Sequence, residues 1–117
     1  MYIAYIVIAA LLALALVASA TLKLRRDPRA VGSIHETVGV PLRWFPYLAA
    51  CEIAGAVGLL IGIAWAPIGI LAAAAIVAYM IGAVIGHLRV GDTKNLTSPL
   101  IPMILAAAAL LTRILSI

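Results

Sequence analysis

The stretch YLAACEIAGAVGLLIGIAW, residues 47 to 65, decides how this chain folds. It is long and apolar enough to cross a bilayer, whose hydrocarbon core takes about 20 residues of α-helix. One residue in it is out of keeping, Glu52. A carboxylate at mid-bilayer costs about 2.5 kcal/mol or more, so a neutralising partner or a functional use is expected for it.

Outward from this stretch the apolar character continues. The chain has 117 residues, 67% of them hydrophobic and 10% charged, with a mean hydropathy of +1.25. A soluble domain keeps roughly a quarter of its residues charged. The composition therefore reads as an integral membrane protein. Apolar runs over about 2–22, 44–66, 67–88 and 99–116 predict an all-α four-helix bundle. Its four transmembrane helices would form one domain over 1–117, with short loops. The first run is followed by KLRR and has no positive region before it, so it reads as an anchor and not as a cleaved signal.

The connections carry their own signals. Asp27-Pro28 breaks the first helix, and the spacing of Ser33 and Glu36 predicts a capping box opening a short helix over 33–38. Gly39 ends that helix, and Pro41 suits the first turn of the next. GIAWAP is short enough to force an antiparallel hairpin, with Trp65 at the interface and Pro67 starting the third span. Pro99 opens the fourth span, and Pro102 is expected within its first turn. Lys23, Arg25, Arg26, Arg29, Arg43, Arg89 and Lys94 all fall at one end of the spans. The positive-inside rule makes that end cytoplasmic and both termini external. Arg113 is the exception and is expected to snorkel to the outer interface.

Gly58-x3-Gly62 and Gly82-x3-Gly86 have the spacing of close helix contacts. They predict that the second and third spans pack on each other through these ridges, Gly55 being a further packing position. The competing reading is a self-dimer seam.

Glu52 lies about 7–8 Å deeper than Tyr47 at the helical rise, in the cytoplasmic half of its span. Lys23 closes the first span at that level, with Ser19 one turn before it on the same face. His87 and Arg89 close the third span, and Tyr79 lies about two turns deeper than His87. Together Glu52, Lys23, His87, Arg89, Ser19 and Tyr79 outline a polar pocket open to the cytoplasm, Lys23 being the first choice of partner for Glu52. Three uses stay open. One is a structural ion pair that sets helix register, and another is a site for a quinone, a lipid headgroup or a relayed proton. The third is a contact with another membrane protein. The lone Cys51 cannot make an intrachain disulfide, and two histidines give no case for haem or metal. Basic residues flank apolar runs without interleaved aromatics, which excludes nucleic acid.

The ordered set of Lys23, Glu52, Gly55 and His87-Leu88-Arg89 sits within LVASATLKL, VGVPLRWFPYLAACEIAGAVGLL, GIAWAP and GAVIGHLRVGD. In these segments the chain resembles the DoxX-like family of small four-helix bacterial membrane proteins. The resemblance implies a bundle in the bacterial plasma membrane and an accessory or quinone-linked role, and it supplies no catalytic residue set. A non-catalytic accessory or ligand-binding subunit is expected, with a membrane subunit of a quinone-linked oxidoreductase as the alternative. A small ion-coupled exporter of similar size would carry its glutamate in the first span, which has no carboxylate here.

Overall fold

The structure, a computed structural model, describes all residues from Met1 to Ile117 and contains no strand. Its long helices are α1 (Tyr2–Leu24), α3 (Phe45–Ala64), α4 (Ala66–Arg89) and α5 (Thr97–Leu115). Between α1 and α3 lie the single turn α2 (Pro28–Ala30), a π-helix over Val31–Val38 and a 3-10 turn over Leu42–Trp44. The long helices run up-down-up-down, with α1 packed on α3 and α5, and α4 packed on the same two neighbours. The long axis of the molecule, 42 Å, exceeds the roughly 30 Å of a bilayer core.

All four long helices have the length and hydropathy of membrane spans. Their outer faces carry bare aliphatic side chains, Ile3 being 76% and Leu14 70% exposed. An apolar belt of this extent has no place in water. The inner faces form one core around Tyr5, Leu12, Leu16, Leu59 and Ile76. Trp44 and Tyr47 are exposed at one end of the spans and Trp65 at the other, the positions of interfacial aromatics.

The connections follow the expected breaks, with three corrections. Helix α1 stops at Leu24, and Arg26 takes a left-handed conformation (φ 49°) before Asp27-Pro28. Asp27, not Ser33, then caps the next helix by accepting from the Arg29 N–H at 3.0 Å. Ser33 lies inside the continuous turn begun at Pro28, which leaves its backbone no start to cap. The Arg29 side chain donates to the Asp27 carboxylate and holds it below the usual carboxylate range. Gly39 (φ 92°) ends the π-helix as expected. The second correction is that Pro102 stands inside α5, beyond its first turn, because the helix already begins at Thr97.

Arg113 is the third correction. It does not snorkel but turns inward and is 8% exposed. Its Nε donates to the Gly62 carbonyl and its Nη1 to Ser116 Oγ, each at 2.8 Å, and the guanidinium lies over the Tyr2 and Tyr5 rings. Tyr5 and Tyr2 donate to the carbonyls of Leu59 and Ile63, each at 2.6 Å. The end of α3 is thus capped by side chains from α1 and α5. The Gly62 and Ile63 carbonyls lie in the last turn of α3, where the helix supplies no partner of its own, and they carry the negative pole of its dipole, which a cation suits.

Glycine packing is concentrated near the α3–α4 turn. A Cβ on Gly62 would collide with Gly69 and the Tyr5 hydroxyl, one on Gly58 would come 2.7 Å from Ala72 Cβ, and one on Gly55 2.9 Å from Ile76. The expected partners Gly82 and Gly86 are not part of this seam. A Cβ on Gly82 meets nothing within 4 Å, and one on Gly86 meets only Val38 at 3.2 Å.

Candidate functional site

The tight turn at Trp65 sets which residues of α3 and α4 stand level. Gly62 meets Gly69, Gly58 meets Ala72 and Gly55 meets Ile76. One step further down the hairpin, Tyr79 faces Glu52 and donates to its Oε1 at 3.4 Å. Helix α1 delivers the cation: Lys23 Nζ lies 2.6 Å from the same Oε1, with both side chains buried. The lysine also donates to Ser19 Oγ at 2.8 Å, one turn earlier. Lys23 therefore bends its stem inward, and its burial with Glu52 is that of an ion pair and not of an interfacial anchor. The second carboxylate oxygen, Glu52 Oε2, is buried without a partner.

This cluster borders a cavity of about 880 Å³ at the basic end of the bundle. Its walls come from all four long helices, and Ser33, Ile34 and Val38 of the π-helix border it from below. The absence of side chains at Gly82 and Gly86, which border it, leaves part of that space open. His87 reaches the same cavity but pairs elsewhere, with Nδ1 2.8 Å from Asp92 Oδ2. Asn95 donates to both Asp92 oxygens at 3.2 and 2.9 Å. These bonds, Asn95 first and His87 second, hold the Asp92 carboxyl below the usual carboxylate range.

Of the six residues expected in the pocket, Ser19, Lys23, Glu52 and Tyr79 make one connected cluster. His87 shares the cavity without touching Glu52's ion pair. Arg89 is exposed, has no ion pair and does not border the cavity, because its position on α4 turns it away from the bundle. Sequence reasoning missed Asp92 and Asn95. The signal was Gly91: with φ 70° it reverses the chain after α4, so that the Asp92 N–H donates to the His87 carbonyl at 2.9 Å and brings the carboxylate back to the imidazole. No group of three or more His, Cys, Asp or Glu residues could hold a metal.

Four apolar helices around a buried polar cluster define a small multi-pass membrane protein with a half-open cavity at its basic end. The profile of the DoxX-like family matches residues 7–109, and the chain belongs to that family. Searches among curated proteins and among solved structures give no match.

Proposed function

We propose that this protein is a non-catalytic membrane subunit that holds a small amphipathic molecule, a quinone or a lipid, in its cavity. The observation that carries this reading is the Lys23–Glu52 pair bordering about 880 Å³ of open space, with one buried carboxylate oxygen unsatisfied. Small-molecule sites are typically about 300–1,000 Å³, mostly apolar and furnished with a few polar groups that orient the ligand. A structural ion pair alone needs no adjoining cavity. The small side chains at Gly82, Ala83 and Gly86 favour the same reading, since they leave room where larger residues would close the bundle.

Filling the cavity tests this directly. A Cβ at Gly82 meets nothing, so Gly82→Leu should fold with a Tm near that of the wild type. Wild-type protein extracted gently from native membranes should carry a stoichiometric small molecule, identified by mass spectrometry, and Gly82→Leu should lose it. A wild-type protein free of any such molecule contradicts the reading. A quinone retained together with a fixed redox partner would make the chain the membrane subunit of a quinone-linked oxidoreductase.

We also propose that the protein lies in the bacterial plasma membrane, as its family suggests, and that its basic end is cytoplasmic, on the strength of Lys23, Arg25, Arg26, Arg29, Arg43, Arg89 and Lys94 at that end. In a Cys51→Ala background, an impermeant thiol reagent added to intact cells should label Ile117→Cys but neither Glu36→Cys nor Thr93→Cys. The reverse pattern contradicts the orientation.

A further inference from the structure

A second recess meets Glu52 from outside the bundle. It is an apolar groove of about 430 Å³ between α3 and α4, bordered by Cys51, Ala54, Gly58 and Ala75. Cys51, Ala54 and Ala75 are exposed, so the groove opens on the face that the spans turn to lipid. Glu52, Tyr79 and Leu16 border both the groove and the cavity. The carboxylate thus stands in the wall shared by an apolar groove on the bilayer face and the larger cavity at the basic end.

The hydrogen-bond inventory at that junction is uneven. Glu52 Oε1 accepts from Lys23 and Tyr79, while Oε2 accepts from nothing although it is buried. Two ammonium protons of Lys23 go to Glu52 and Ser19, which leaves one of its three. A hydroxyl placed here donates to Oε2 and accepts from the remaining ammonium proton. A carbonyl does only the second and sets its lone pairs against the carboxylate. An anionic headgroup fits worst, because Lys23 and Glu52 already neutralise each other and a further negative charge is left uncompensated.

We propose that the site selects neutral amphipaths with a hydroxyl head, a reduced quinol or an alcohol-bearing lipid, and that the apolar tail leaves through the α3–α4 groove to the bilayer. This rests on the cavity being a ligand site. Hydrogen bonds to charged groups are the stronger ones, and one such bond made or lost is worth about tenfold in affinity.

The protein in nanodiscs of neutral lipid is titrated with four probes and read by native mass spectrometry. These are a fully ring-substituted decyl benzoquinol kept anaerobic, its oxidised quinone, 1-hexadecanol and phosphatidic acid. Full ring substitution leaves no carbon for a thiol to attack. The quinol should bind about tenfold more tightly than the quinone, and phosphatidic acid should not compete. Alkylation of Cys51 by N-ethylmaleimide should slow several-fold when the site is filled. The double variant Lys23→Met with Glu52→Gln keeps the shape of the pair without its charges and should lose the preference for quinol. Hexadecanol binding as well as the quinol assigns the site to hydroxyl lipids in general, and quinol binding alone assigns it to the aromatic head. Equal or tighter binding of the quinone overturns the hydroxyl rule while leaving the cavity a ligand site. Binding of no probe overturns both readings. Quinol preference without protection of Cys51 removes the tail from the groove.

Discussion

Replacing Lys23 by Met should destabilise the protein by about 3–5 kcal/mol, the usual cost of leaving one member of a buried ion pair uncompensated. The side chain of Glu52 is 1% exposed and that of Lys23 8%, so each charge is largely shielded from solvent when its partner goes. Glu52→Gln strands the ammonium in the same way, although Ser19 Oγ still accepts from it. Removing both charges should cost much less than the two single losses together, since replacing a buried pair by neutral groups is often close to neutral. The measurement is a double-mutant cycle of thermal stability in detergent. Arg89→Met, run in the same cycle with Glu52→Gln, should be additive because Arg89 lies outside the cluster. Additivity for Lys23 with Glu52 contradicts the pair.

Gly62→Leu should abolish folding altogether. The first atom of the new side chain would run into Gly69 and the Tyr5 hydroxyl, and both are fixed. Gly69 sits on the opposing backbone, and Tyr5 is tied to the Leu59 carbonyl at 2.6 Å. Helices this close depend on residues without side chains at the crossing. The contrast with Gly82→Leu separates a packing glycine from one that only keeps a cavity open. Expression of soluble, monodisperse Gly62→Leu protein in detergent contradicts the close crossing.

These two glycines also show how far the sequence could be read. Both lie in GxxxG spacings, and spacing reports that a helix has a smooth strip without saying at what height another helix crosses it. That height is set by the turn. With Trp65 as the only residue between α3 and α4, the close contacts are Gly62 with Gly69 and Gly58 with Ala72. Gly69 was missed because it forms no GxxxG pair, yet it stands only one residue farther from Trp65 than Gly62 does.

The spans themselves were legible because each is an unbroken apolar run of bilayer length. Glu52 and Lys23 were legible from depth and reach, two quantities that helical rise supplies. Arg113 was not. Its place near a span end suggests snorkelling, but the pull inward comes from the carbonyls of Gly62 and its neighbours, which the chain brings near only by closing the bundle. Asp92 was hidden in the same way, behind the reversal at Gly91.

The proposed ligand site requires Glu52 to be an ionised carboxylate held by Lys23 at the edge of the cavity, with one oxygen free of protein partners. Infrared spectroscopy of protein carrying carboxyl-labelled glutamate tests it most directly. The chain has only two glutamates, Glu36 and Glu52, so a Glu36→Gln background leaves Glu52 as the sole labelled side chain. Near neutral pH the isotope-shifted bands should be those of an ionised carboxylate, with one of them moving when the decyl benzoquinol is added. An isotope-shifted carbonyl band of a protonated acid, unchanged by the quinol, would contradict the account.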